Sequence, residues 1–221
     1  MLGRLKQYYR ELLTIREVAG FGGLPRVWSI QEFVAPYRND ALGLLESSIL
    51  DIGCGAKPTN LFAAKHFYGI DIREDEQRNI RYADLVVEPI PYPDAHFDYV
   101  FAGDFIEHIP RVIYTPARRF AFVELMNEIY RVLKPGGIFF SRTPVFPFTP
   151  AFRDPTHVNI ISHETFPLYF DDKTRAAAMY GFKGAFRILK QGIRPPHLLS
   201  LLQKVPLVKD QSDAKGTDNA S

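Results

Sequence analysis

The sequence is short of cysteine: Cys54 is the only one. A lone thiol forms no intramolecular disulfide, so packing must hold the fold, and a reducing, cytoplasmic setting is expected. No apolar run approaches the ~18 residues that suggest a membrane span. Met1 to Arg16 carries charge throughout and lacks the apolar centre of a secretory leader, so none is expected there. Charge bias is also slight. A net +2 over 221 residues gives no reason to expect nucleic acid as a partner. There is no internal repeat. The candidate ligands Asp104, His108, Asp154 and His157 show no compact metal spacing, so no metal is expected. What is present is an ordinary globular balance, 46% hydrophobic and 24% charged, in a chain long enough for one α/β domain with a substantial core.

Apolar periodicity divides the chain. Residues 1–17 read as an amphipathic helix, with Leu2, Leu5, Leu12 and Leu13 on one face and Arg4, Lys6, Arg10 and Arg16 between them. Residues 1–46 are taken as a helical extension, whose role could be a lid, a dimer contact or a membrane-surface face. Residues 47–209 form the main domain, and 210–221 are small, polar and expected to be disordered. Within the main domain, strands are expected at Ser48–Ile52, Phe67–Ile72, Ile80–Leu85, Phe97–Ala102 and from Ile138. Arg118–Leu133 is the clearest helix, with Phe122, Leu125, Met126, Ile129, Val132 and Leu133 on one face, and Lys134-Pro135-Gly136-Gly137 stops it. Thr174–Tyr180 reads as helical and Phe182–Leu189 as a strand. Alternating strands and helices imply a parallel sheet covered on both faces.

The first strand ends in Asp51-Ile52-Gly53-Cys54-Gly55. Glycines at that point let backbone amides approach a ligand closely. A dinucleotide loop would carry a third glycine, where this chain has Pro58, and Asp51 would repel a pyrophosphate. The same carboxylate attracts the ammonium of an amino-acid ligand, which favours S-adenosylmethionine. Asp71, 16 residues beyond Gly55, ends the next strand and suits the two hydroxyls of a ribose. Asp84 suits an adenine amino group, and Ile72 and Leu85 suit the faces of the ring. Singly, Asp51 could equally be a cap, Asp71 a solvated strand end and Asp84 a turn residue. Their joint order at strand ends is what favours a ligand. Cys54, between the glycines, reads as a packing residue.

Four segments then resemble the class I S-adenosylmethionine-dependent methyltransferases, of the methyltransferase type 11 kind. They are Leu50-Asp51-Ile52-Gly53-Cys54-Gly55, Tyr68-Gly69-Ile70-Asp71-Ile72, Phe97-Asp98-Tyr99-Val100 with Phe105-Ile106-Glu107-His108-Ile109, and Arg131-Val132-Leu133-Lys134-Pro135-Gly136-Gly137. The resemblance implies an α/β, Rossmann-like, mostly parallel seven-stranded sheet with helices on both faces and the last strand antiparallel. It implies S-adenosylmethionine as cofactor, with contacts from Asp51, Gly53, Gly55, Asp71, Asp84 and the backbone from Ala102 through Gly103 to Asp104. Gly103-Asp104 departs from the small or hydroxyl-bearing residues usual after the fourth strand. A narrower likeness, Arg153-Asp154-Pro155-Thr156-His157-Val158-Asn159 followed by Ser162-His163-Glu164-Thr165-Phe166, resembles methyltransferases of bacterial surface-polysaccharide and sugar biosynthesis. It implies a sugar or glycan acceptor; a quinone-like or lipid-linked small molecule, or a non-catalytic cofactor-binding role, is the alternative. Methylating a hydroxyl requires removing its proton, for which histidine suits neutral pH. His157 is the first candidate base and His108 the second, with Asp154 to orient His157 or bind the acceptor. Phe146, Phe148 and Phe152 are a candidate acceptor platform, and Arg142 and Arg153 could meet an anionic acceptor. A monomer or homodimer is expected.

Overall fold

The computed structural model describes residues 5, 6, 9 and 23–206. Most of the expected N-terminal helix at 1–17 and the whole of the expected disordered tail at 210–221 lie outside the described residues. Seven strands form one sheet: β1 (Ser48–Ile52), β2 (His66–Asp71), β3 (Ile80–Tyr82), β4 (Phe97–Gly103), β5 (Leu133–Pro144), β6 (Phe186–Arg194) and β7 (His197–Lys204). Their order is β3-β2-β1-β4-β5-β7-β6. The first five pair in parallel, and β7 runs against both of its neighbours, β5 and β6. The sheet is the Rossmann-like one that the family resemblance implied.

Alternation along the strands feeds two cores, because successive side chains point to opposite faces. Leu50, Ile52, Val100, Ala102 and Phe139 join the larger cluster. Ile49, Tyr99, Phe101, Ile138 and Phe140 join the smaller one. The larger face is covered by α3 (Ala121–Val132), which buries Phe122, Leu125, Met126, Ile129 and Val132. The i, i+3, i+4, i+7 spacing of those residues is the stripe that makes an amphipathic helix adhere to a sheet. It starts later than the expected Arg118, because Arg119 bridges back to Ile113 before the helix begins. The helix ends at Val132, as the stop at Lys134–Gly137 led us to expect, but that segment lies inside β5 as a register irregularity: Phe97 pairs with Leu133, yet Tyr99 pairs with Ile138.

Among the described residues, the smaller face carries the short helix α1 (Ile30–Val34), followed in the chain by α2 (Asn39–Leu42). Phe33 and Val34 of α1 are buried there with Phe62. Residues 25–27, assigned to the extension on sequence, pair with Ile193 of β6. Two more differences concern the last third. Residues 176–180 form a 3-10 turn, and β6 starts at Phe186 rather than Phe182, because Gly184 lies against the Tyr130 ring, which keeps Phe182 in a loop. Strand β7 has no counterpart among the expected strands: Leu198, Leu199, Leu201 and Leu202 are buried on both faces, without the alternation that marks a strand.

We expect Phe140→Ala to cost about 3–5 kcal/mol of stability, since it removes a fully buried ring that contacts Phe33, Phe62 and Phe101. Denaturant unfolding followed by circular dichroism checks this; a loss under about 1 kcal/mol would mean that the smaller face is not a packed core.

Candidate functional site

The loop after β1 folds over the end of β2. Gly53 and Cys54 both donate their N–H to the carbonyl of Ile70, at 2.8 and 3.1 Å. Gly53 sits at φ +69°, and a Cβ there would lie 2.2 Å from the ring of Phe105, so the residue must be glycine for Phe105 to close on the turn. Gly55 donates its N–H to Asp71 Oδ2 at 2.9 Å, and Arg73 N–H donates to Asp71 Oδ1 at 3.1 Å. The Arg73 guanidinium adds an ion pair at 3.5 Å. Each Asp71 oxygen keeps a further lone pair, as two ribose hydroxyls require.

Beneath this loop is a cavity of about 470 Å³, walled by Gly53, Gly55, Asp71, Ile72, Asp84, Leu85, Asp104 and His108, all singled out on sequence. Ile70, Arg73, Ala83, Val86, Phe105 and Ile109 complete it. Ile70, Phe105 and Ile109 belong to the family-like segments but had been given no role; Arg73, Ala83 and Val86 carried no sequence signal of their own. The donor set fits a nucleoside carrying an amino-acid cation. Acids stand at the ends of two strands, apolar side chains lie between them, and nothing comes within 4 Å of where a Cβ at Gly55 would be, so the loop backbone is open to a ligand.

Three of the expected cofactor contacts stand outside the cavity wall. Ala102 is buried in the larger core. Gly103 packs against Phe101, whose ring leaves no room for a Cβ. Asp51 is 3% exposed and accepts the Thr59 N–H at 2.7 Å. Burial pushes its carboxyl up to about 7, against the opposing hydrogen bonds from Thr59. Cys54 is also buried enough that its thiol is pushed up to about 12, with the charges of Asp51 and Asp71 adding to the effect, so it is no nucleophile at neutral pH.

Asp104 holds a left-handed backbone, φ +53°, at the end of β4. His197 Nε2 lies 2.9 Å from its Oδ1, and Arg142 pairs with its Oδ2. Burial alone would raise this carboxyl, but the His197 hydrogen bond and the Arg142 charge outweigh it, and Asp104 titrates below its usual range. Arg142 is therefore committed to Asp104. His197 gave no signal in the sequence, because it comes from the β6–β7 hairpin, remote in the chain.

His108, on the 3-10 turn Ile106–His108 after β4, is the imidazole on the cavity wall. His157 packs edge-on against it, ring centroids 4.8 Å apart, and is not part of that wall. Asp154 Oδ2 stands 4.0 Å from His157 Nε2, beyond hydrogen-bond range. Instead, the Thr156 hydroxyl donates to Asp154 Oδ1 at 2.6 Å and meets His108 Nδ1 at 2.9 Å. A hydroxyl has one proton. Since Thr156 gives it to a carboxylate, it must accept from His108, so His108 carries its proton on Nδ1 and leaves Nε2 as a lone pair. Thr156 also holds the Asp154 carboxyl below its usual value. His157 Nδ1 meets the Pro150 carbonyl at 3.0 Å and must donate to it, which frees its Nε2 likewise. Behind both rings, Glu107 is 2% exposed, takes the Thr143 hydroxyl on Oε2 at 2.9 Å, and leaves Oε1 unpartnered.

A seven-stranded sheet of this order, with a glycine loop after β1 and an acid ending β2 over one cavity, is the fold that the resemblance to class I methyltransferases implied. Residues 50–141, somewhat under half of the chain, match the family model described as a methyltransferase domain, and the cofactor of that domain is S-adenosylmethionine. The demethylmenaquinone methyltransferases of Listeria welshimeri and Listeria monocytogenes are 30% identical over 123 residues, 46% of this chain and 48% of theirs. The match thus spans about half the length of those relatives. Among solved structures, the 4+2 cyclase SpnF superposes with a TM-score of 0.50 at 17% identity, over 80% of each chain. An S-adenosylmethionine-dependent methyltransferase from Aquifex aeolicus gives 0.49 at 17% identity, over 80% of this chain and 90% of that one. Likeness at this identity concerns the fold alone.

Two outcomes are expected here. Asp71→Ala should weaken S-adenosylmethionine binding roughly 10- to 100-fold by calorimetry, the loss of charge-assisted hydrogen bonds; unchanged affinity would remove Asp71 from the ribose. For Asp51, a folded value near 7 against 3.8 means that its burial is tolerated when protonated. Its contribution to stability is present below about pH 4 and is lost as pH rises through 7, at most ~4 kcal/mol in all. Asp51→Asn, which keeps an acceptor for Thr59, should flatten the fall in Tm between pH 5 and pH 8. An equally steep fall in the variant would place the cause elsewhere.

Proposed function

We propose that this chain transfers the methyl group of S-adenosylmethionine to a hydroxyl oxygen of a sugar or glycan, in bacterial surface-polysaccharide or sugar biosynthesis. The observation that carries the proposal is the Asp154–Thr156–His108 hydrogen-bond chain: its His108 end stands on the cavity wall, and the neutral ring keeps one imidazole nitrogen free to take a proton. When bound, the cofactor supplies an electrophilic methyl carbon. The protein's share is to align the acceptor oxygen, exclude water and relieve that oxygen of its proton.

In this reading Asp71 and Asp84 hold the nucleoside, Gly53 and Gly55 admit it, and Asp104 stands near the amino-acid end. His108 and His157 activate the acceptor, while Asp154 and Thr156 are positioning residues behind His108. The ring edge of Phe146 meets Phe152, centroids 6.0 Å apart, and both rings are exposed, a surface on which a sugar face can lie. The likeness of residues 153–166 to polysaccharide-linked methyltransferases supports the same acceptor.

A second reading has one observation in its favour. The Listeria relatives are named for a quinone substrate, and this chain has a separate apolar cavity of about 310 Å³, lined by Phe120, Tyr169, Phe170 and Tyr180, with Arg111 at its wall. A quinone-like acceptor would suit that lining.

Purified protein should therefore be incubated with isotopically labelled S-adenosylmethionine and, in parallel, with cell-envelope glycans, sugar nucleotides and lipid extracts, and the products weighed by mass spectrometry. Label in the glycan or sugar fraction supports the first reading; label confined to lipids replaces it with the second. Tight cofactor binding with no labelled product from any fraction would indicate a cofactor-binding role without transfer. With the acceptor identified, His108→Ala should lower kcat by at least ~100-fold with little change in cofactor affinity. A variant with normal kcat would remove His108 from acceptor activation.

A further inference from the structure

We propose that Glu107, His108 and His157 form a binding site for one divalent transition-metal ion, Zn2+ in the first place. Each of the three brings a potential ligand atom within 4.8 Å of those of the other two. They come from two separate segments, the turn after β4 and the loop after β5, so the cluster is made by the fold and has no counterpart in local spacing.

Hydrogen bonding leaves one acceptor atom free on each of the three side chains. Glu107 Oε2 is taken by the Thr143 hydroxyl, and its Oε1 is buried without a partner. A buried carboxylate oxygen with nothing to accept from is costly. A cation ligated there would remove that cost. His108 gives its Nδ1 proton to Thr156, which is backed by Asp154, and His157 gives its own to the Pro150 carbonyl. Each imidazole thus keeps an Nε2 lone pair and has its opposite nitrogen anchored to an acceptor. That is the outer-shell pattern that orients histidine ligands on metals and makes them more basic.

Two imidazoles and one carboxylate are the donor set of three-ligand zinc sites, which keep a position open for water or substrate. Two nitrogen donors count against Mg2+ and Ca2+, which take oxygen. Zinc bonds of about 2 Å put tetrahedral ligand atoms ~3.3 Å apart, so the three groups need close by at most ~1.5 Å. His108 lies on the wall of the open cavity, which provides the ion's way in. If the methyl-transfer reading above holds, the ion takes over acceptor activation from the two imidazoles whose lone pairs it occupies: an acceptor hydroxyl ligated at the open position would release its proton to water more readily, since a bound Zn2+ lowers the pKa of the oxygen it holds.

The test uses the full chain, stripped of metal by a chelator and titrated calorimetrically with Zn2+ alone, without cofactor or acceptor. One ion per chain is expected. His157→Ala should weaken binding at least ~100-fold, and the isosteric Glu107→Gln, which retains a group for Thr143, should do so comparably. Thr156→Val should weaken it roughly 10- to 100-fold as an outer-shell partner. His163→Ala should leave it unchanged. Circular dichroism and S-adenosylmethionine affinity report that each variant is folded. Failure of the folded chain to bind Zn2+, or binding that is indifferent to His157→Ala, overturns the proposal. The two readings fail separately. Methyl transfer without zinc binding removes the site and spares the function; zinc binding of this pattern with no methyl transfer to any acceptor does the reverse.

Discussion

The hydrogen bond from the Gly55 N–H to the Asp71 carboxylate is the contact on which the cavity depends. Parallel neighbours such as β1 and β2 need a long crossover, and a helix usually supplies its internal order. Here residues 53–65 contain no helix. Side chains take over the work of helical hydrogen bonds: Asp71 holds Gly55, Asp51 holds Thr59, and Asn60 both gives to and takes from the backbone of Ala64. The absence of a Cβ at Gly69 lets Cys54 and Pro58 settle on β2. Asp71 is also the acid that a ribose requires, so a group that shapes the loop furnishes its chemistry as well.

The far wall is built on a different principle. The turn at Ile106–His108 is pinned to the loop after β5, since Val158 and Asn159 both donate to the Glu107 carbonyl and the Asn159 side chain donates to that of Ile106. Arg111 reaches back to Asn159 and to the Ile160 carbonyl. This cross-bracing brings His108 and His157 edge to face and fixes their tautomers through Thr156 and Pro150. Asp104 is braced from the other side by Arg142 on β5 and His197 on β7. Every ionisable group on this wall therefore depends on the register between β4, β5 and β7.

Sharing a fold with a cyclase is a reminder that the sheet does not select the reaction. Cofactor residues sit at strand ends common to the fold. Three features lie after β4 and β5: a carboxylate at Asp104, a buried glutamate beside two histidines, and exposed phenylalanines in a proline-rich loop.

Residues 48–103 are largely legible from the amino-acid sequence by itself, because strand ends, glycine turns and acids follow one another along the chain, and local spacing carries their roles. Asp71 and Asp84 stand out as candidates on those grounds, and Gly53 can be matched to a tight turn. The helix Ala121–Val132 is legible for the same reason, its stripe being periodic. Tertiary structure alone decides that Asp51 turns into the core and accepts Thr59, that Asp154 reaches His108 through Thr156 and stays 4.0 Å from His157, and that His197 crosses from the last hairpin to Asp104. It also makes a strand of the leucine-rich β7, where burial on both faces erases the alternation that would announce it. Periodicity and turn chemistry act between residues a few positions apart and can be read along the chain. Hydrogen bonds between segments remote in the chain depend on sheet register, which no short stretch of sequence specifies.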